Sequence, residues 1–192
     1  MPQTAPARRP AAVVLLALLC PLLLGAMPWT TIYGVARDER DVKTIAADKA
    51  VSTEIKAKLM DKDKKKGLAV KVYCFTGLVF LVGALDDEAF TAFAADLAQK
   101  TKNVKQVETF WVKPAKEDTL SEDLKRAAKI RAALIGDKSI SATQIETEVF
   151  GGTVVLLGMV GEAKAAVMAE QIAKAAPGVR TVKSFLIVTG RK

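Results

Sequence analysis

The sequence contains no histidine. That absence removes the commonest general base, the commonest metal ligand and every Ser-His or Cys-His nucleophile arrangement, so no catalytic residue, metal site or cofactor is expected. Cysteine is nearly as scarce, with Cys20 and Cys74 the whole complement. Cys20 sits in an N-terminal apolar stretch. If that stretch is removed Cys74 stands alone, an intrachain disulfide is impossible, and the expectation is a small buried apolar side chain. Concentrated charge is missing too. The net charge is +8, and loss of Arg8 and Arg9 with the N-terminal segment leaves +6. Residues 41–114 hold 13 basic and 10 acidic side chains and residues 115–192 hold 12 and 9, so each half carries +3. A nucleic-acid reader clusters its charge; this spread suits weak attraction to anionic membrane surfaces or polymers, and nucleic acid is not expected as a partner. A phosphate loop is absent as well, since no helix opening with Lys-Ser/Thr follows Gly151-Gly152.

What is present is a repeat. Shifting the chain by 75 residues lays Cys74 to Gly83 on Val149 to Gly158, and pairs Asp48 with Asp123, Ile55 with Ile130, Leu59 with Leu134, Val104 with Val179, Val107 with Val182 and Phe110 with Phe185. Apolar pattern, glycine and one acid recur, which are the positions that build a fold; a duplicated active site would repeat reactive groups. Two units of about 65 to 75 residues follow, each with a thin core that gains from packing against the other or from membrane support.

Residues 1–27 read as an export signal or N-terminal anchor: Arg8 and Arg9 precede an apolar stretch from Ala11 to Met27, and polarity rises through Asp38 to Asp41. Cleavage near Ala26, lipidation at Cys20 and retention as an anchor are all open, with Trp29 and Tyr33 placed as interfacial aromatics would be if the segment stayed in the membrane. Residues 28–40 are a linker, 41–114 the first unit, 115–120 a second linker and 121–190 the second unit.

Within each unit the periodicity predicts helix, strand, strand, helix, strand. Ala47, Val51, Ile55 and Leu59 recur at helical spacing; their counterparts start after Ser121, a candidate N-cap, and run through Leu124, Ala127, Ile130 and Leu134 to Gly136. Strands from Leu68 to Phe75 and from Gly77 to Ala84 flank the hairpin pair Thr76-Gly77, and Gly151-Gly152 is the second turn. Leu78 to Val82 are continuously apolar, as in a central strand covered more fully than its neighbour. Gly83 and Gly158 close the strands and imply tight packing of an adjoining helix. Asp86, Asp87 and Glu88 open the second helix, whose stripe is Phe90, Phe93, Ala94 and Leu97, answered by Ala165, Met168, Ala169 and Ile172. Those acids are read as a helix start and not as a cation site, because the second copy has Gly161, Glu162 and Ala163 there. Val104 to Val112 and Val179 to Ile187 form the last strands. The fold class is α+β: two tandem small domains, each with a three-stranded mixed sheet packed against two helices.

The glycine-flanked apolar strands Gly77 to Gly83 and Gly152 to Gly158, with the later Val104-x-x-Val107 and Val179-x-x-Val182, resemble the BON domain over about residues 41–190. Gly77, Gly83, Gly152 and Gly158 are its structural glycines here. Two such domains behind an export signal look like the dual-BON proteins of Gram-negative envelopes, which include osmotically induced periplasmic proteins and an outer-membrane lipoprotein. The resemblance implies a non-enzymatic periplasmic protein that supports envelope integrity, membrane-associated in some members. The alternative is a module that docks on an envelope protein or on another copy of itself.

Two basic features are candidate contacts for an anionic phospholipid membrane. Lys62, Lys64, Lys65 and Lys66 form a dense positive loop interleaved with Asp61 and Asp63, and Lys125, Arg126, Lys129 and Arg131 enrich the first helix of the second unit. Lys125 and Lys129 lie one turn apart, off the apolar stripe. Trp111 is expected in core or inter-domain packing.

Overall fold

The computed structural model describes residues 41–115, 119–138, 140 and 144–190. The N-terminal segment with Cys20, Trp29 and Tyr33 lies outside them. Among the described residues no helix is long and apolar enough to cross a membrane.

The first unit opens with α1 (Val42–Lys62), whose start is fixed by the Asp41 carboxylate accepting from the Lys43 N–H at 2.7 Å and the Thr44 N–H at 3.2 Å. Its inward face carries Asp48, Val51, Ser52, Ile55 and Leu59. Ala47, expected in that stripe, is exposed, because Asp48 takes the inward position. The chain then restarts as a short helix. The expected lysine-rich loop is in fact the end of α1 followed by α2 (Lys64–Ala69), and Leu68, expected at a strand start, is exposed on that helix. Local capping explains the difference. Asp63 accepts the Lys66 N–H at 2.9 Å at one end, and the Lys56 ammonium donates to the carbonyls of Gly67 at 2.7 Å and Leu68 at 3.2 Å, and to that of Val70, at the other.

Strands β1 (Val70–Phe75) and β2 (Leu78–Ala84) form an antiparallel hairpin; α3 (Glu88–Gln99), capped by Asp87, crosses over to β3 (Gln106–Val112), which pairs in parallel with β2. The second unit repeats the plan with α4 (Leu120–Gly136), β4 (Ile145–Phe150), β5 (Thr153–Val160), α5 (Ala163–Ala175) and β6 (Thr181–Val188). Each sheet has the hairpin's second strand in the centre, so the architecture is α+β with two three-stranded mixed sheets. Helix α4 starts one residue before Ser121, with Thr119 at the N-cap position, so Ser121 lies inside the helix. Leu124 is 62% exposed instead of buried, since the inward position belongs to Asp123.

Three apolar clusters hold the structure together. One, around Ile55, Leu59, Val79, Leu81 and Ala94, lies between the first sheet and its helices, and Trp111 and Cys74 belong to it. The second repeats it around Ile130, Leu134, Val154, Leu156 and Ala169. The third joins the opposite faces of the two sheets through Phe75, Phe80, Val82, Val155 and Leu157, rimmed by Tyr73, Phe110, Phe150 and Phe185. Strand alternation produces this division: Val79 and Leu81 face the helices while Phe80 and Val82 face the other sheet. Burial on both faces is what the continuous apolar run of β2 requires.

The sheet-to-sheet contact has two-fold character. The Tyr73 hydroxyl donates to the Glu148 carboxylate, and the Phe110 and Phe185 rings meet at 6.0 Å between centroids. Both pairs join equivalent positions of the repeat. Residues that touch their own equivalents lie on a dyad, as in an isologous dimer interface.

Gly83 and Gly158 are demanded by backbone, not by the second helix. A Cβ on Gly83 would stand 2.7 Å from the Ala69 carbonyl oxygen, and one on Gly158 would overlap the Gln144 carbonyl oxygen. Each of those carbonyls belongs to the residue just ahead of the first hairpin strand. Gly158 also has φ +136°, which an L side chain rarely adopts.

Candidate functional site

The acid that recurs with the repeat latches the hairpin turns. Asp48, only 5% exposed, accepts the Thr76 N–H at 2.8 Å, the Gly77 N–H at 3.1 Å and the Cys74 thiol at 3.2 Å. Asp123 accepts the Gly151 N–H at 2.6 Å and the Gly152 N–H at 3.2 Å. Both turns hold two successive residues at positive φ, which leaves two N–H groups pointing at one acceptor: Thr76 at 53° and Gly77 at 84°, Gly151 at 53° and Gly152 at 82°. The carboxylate thus stabilises an unfavourable backbone, in one copy at a non-glycine residue. This role explains why one acid survives in both copies, and its sequence signal is the constant 28-residue separation from the first turn residue.

The lysines of the first candidate group end up in different roles. The Lys66 ammonium lies 2.6 Å from the Asp87 carboxylate and 3.7 Å from Asp63, with the Phe90 ring 5.7 Å away. Its hydrogen bond to Asp87 raises the Lys66 pKa and holds the Asp87 carboxyl below the usual carboxylate range. Lys62 lies over the Phe93 ring at 5.5 Å, a cation–π contact. Lys64 and Lys65 are exposed.

The second group divides as well. Arg126 is folded inward, its side chain 19% exposed, with the guanidinium 2.8 Å from Asp123, 3.7 Å from Glu122 and 3.3 Å from the Pro177 carbonyl. It completes the latch. Arg131 reaches Glu146 at 3.5 Å. Lys125 and Lys129 are exposed and project from the side of α4 opposite its buried residues. Between those two sides, one shoulder of the helix carries Leu120, Leu124 and Ile135, each more than 60% exposed.

One lysine of the first group meets the second unit. A groove of about 800 Å³ runs between the units, lined by Lys65, Lys71 and Lys113 on one side and by Leu120, Leu124 and Ala127 of α4 on the other. Sequence reasoning did not find Lys71 and Lys113, because they are 42 residues apart and only the tertiary fold makes them neighbours. Beside the groove, burial and the Glu148 carboxylate push the Tyr73 hydroxyl pKa far up, and burial followed by the nearby Lys71 charge lowers that of Lys56.

Nothing in this arrangement assembles a nucleophile with a base. Among the described residues no group of three His, Cys, Asp or Glu side chains could hold a metal ion. Cys74 is buried, and its thiol is the one that donates to Asp48.

Comparison with known proteins agrees with the architecture. The chain is 30% identical to osmotically-inducible protein Y of Escherichia coli (strain K12) over 143 residues, 72% of this chain and 71% of that protein. Among solved structures it is similar to CdsD, a structural protein of the type III secretion system of Chlamydia trachomatis, at 18% identity and a TM-score of 0.31, over 73% of this chain and 62% of that one. It is similar also to the C-terminal domain of CdsD, at 17% identity and the same TM-score, over 73% and 66%. At that score neither overlay bears on function. The model of the BON domain family matches twice, at residues 47–110 and 122–190. With one match on each helix-strand-strand-helix-strand unit, and with a relative of the same kind over most of its length, the chain belongs to the BON domain family.

Proposed function

We propose that this is a non-enzymatic, exported, periplasmic protein that supports the cell envelope, in the context of osmotic stress, by docking reversibly on anionic phospholipid. The docking element is the outer side of α4. The observation that carries the reading is the exposed pair Lys125 and Lys129, one turn apart, beside the exposed Leu120, Leu124 and Ile135 on the same helix. Cations gain about 1 kcal/mol each near an anionic lipid surface, and neighbouring leucines can enter the headgroup boundary. Arg126 contributes to the latch and not to the contact, because its charge is already matched by Asp123. Lys64 and Lys65 supply a second, weaker cationic patch.

Co-sedimentation with phosphatidylglycerol vesicles tests it. Binding is expected at low ionic strength, weakens as salt screens the exposed charges, and is absent from phosphatidylcholine vesicles. Reversing both charges with Lys125→Glu and Lys129→Glu is expected to cost about 2 kcal/mol or more, roughly thirtyfold in partitioning. Equal binding by the double variant, or no binding to anionic vesicles at all, refutes the reading. A stoichiometric envelope protein recovered in detergent would favour the docking-module alternative.

A further inference from the structure

The groove between the two units is polarised. Its three cations, Lys65, Lys71 and Lys113, come from the first unit and its connection to the second, while its apolar wall, Leu120, Leu124 and Ala127, comes from α4. The two acids that also reach it are already answered. Asp123 holds the turn N–H groups, the Thr119 hydroxyl at 2.8 Å and Arg126. Glu148 holds the Tyr73 hydroxyl and lies 4.0 Å from Lys71. The cations are less committed. Among the described residues Lys65 has no ion-pair partner and Lys113 has only the exposed Asp86, at 3.7 Å. The space left is about 800 Å³, within the range of sites that enclose small molecules.

From this polarity we infer that the groove binds a single anionic amphiphile, a monoacyl phospholipid whose phosphate sits among Lys65, Lys71 and Lys113 and whose acyl chain lies along Leu120, Leu124 and Ala127. A phosphate accepts charge-assisted hydrogen bonds from several ammonium groups at once. Leucine side chains that stand more than 60% exposed in the free protein are covered by the chain, which supplies the apolar part of the affinity. A soluble anion without a chain satisfies the lysines alone, and a zwitterionic headgroup brings a cation among cations. This site takes one lipid molecule out of bulk membrane, and it stands whether or not α4 docks on a bilayer surface.

Titration calorimetry on the full chain with palmitoyl-lysophosphatidylglycerol, kept below its micelle concentration, tests the inference. One molecule per chain is expected, with the amide resonances of Ala115 and Gly151 shifting in parallel. Palmitoyl-lysophosphatidylcholine and glycerol phosphate are each expected to bind at least about tenfold more weakly, as is the lysophosphatidylglycerol to the exposed double variant Lys65→Glu with Lys113→Glu. The Lys125→Glu with Lys129→Glu variant separates the two ideas, since it should lose vesicles and keep the monomer. Equal affinity for the zwitterionic lipid, indifference to the Lys65 and Lys113 reversal, or loss of monomer binding in the Lys125 and Lys129 variant would each overturn the groove assignment.

Discussion

Replacing Tyr73 by phenylalanine should destabilise the protein at neutral pH and stabilise it at high pH, relative to the parent. The hydroxyl is half-buried between the sheets and donates to Glu148, whose side chain is 19% exposed. Removing a hydrogen bond to a charged acceptor costs about 1.5–3 kcal/mol, and the partial exposure of Glu148 places the loss near the lower end. Alkaline pH reverses the balance. Burial, then Glu148, raise the phenol pKa in the folded protein far above its ordinary value of 10.0. A raised folded-state pKa means stability that is fully present below about pH 10 and is lost as the unfolded chain releases its proton while the folded one cannot. Above pH 10 the loss is about 1.4 kcal/mol per pH unit. Phenylalanine has no such slope, so the two stability curves should cross at about pH 11. Urea titrations at a series of pH values from 7 to 11.5, followed by far-ultraviolet circular dichroism, give the difference directly; lysine titration is common to both proteins and cancels. A constant difference across that range would refute the burial of this hydroxyl against Glu148.

The hairpin latches predict that Asp48→Ala and Asp123→Ala each lose about 3–5 kcal/mol in urea denaturation, the second more because Arg126 is stranded; losses under about 1 kcal/mol would contradict the latch. Gly158→Ala should lower stability by at least about 3 kcal/mol through its positive φ and the Gln144 carbonyl, whereas Gly136→Ala, with nothing within 4 Å of its Cβ position, should leave it unchanged or raise it by up to about 1 kcal/mol in thermal melts. The Thr147 hydroxyl is buried with no hydrogen-bond partner among the described residues, and its repeat equivalent is Val72. Thr147→Val should therefore stabilise by about 1 kcal/mol, read as a shift of the urea midpoint.

Repetition made much of the fold legible. Apolar positions that recur at a fixed shift located the hairpins, the crossover helices and the final strands, because burial against a partner element leaves a periodic trace in both copies. Asp48 and Asp123 broke that trace. An acid on a helix reads as solvated surface or, in the first turn, as a charge that suits the helix start, so apolar spacing alone points to Ala47 and Leu124, one residue off the true inward positions. The lysine-rich stretch reads as a loop for a related reason: its helical state depends on Asp63 at one end and on Lys56 reaching across from α1 at the other, and the second of those contacts spans 11 residues. Of the basic side chains, Lys125 and Lys129 could be placed from helical spacing alone. The inward turn of Arg126 could not, since its partners include the Pro177 carbonyl, 51 residues away.

The dyad between the sheets has a consequence for how these units assemble. In a true homodimer a residue on the axis confronts its own twin, and two copies of the second unit so arranged would bring two Glu148 carboxylates together in a poorly hydrated seam. Two copies of the first would oppose two phenols with no carboxylate to receive them. Joining both on one polypeptide lets a donor answer an acceptor, so each half is the better mate for the other than for itself, and the covalent tether works with the chemistry of the seam to discourage promiscuous pairing between molecules.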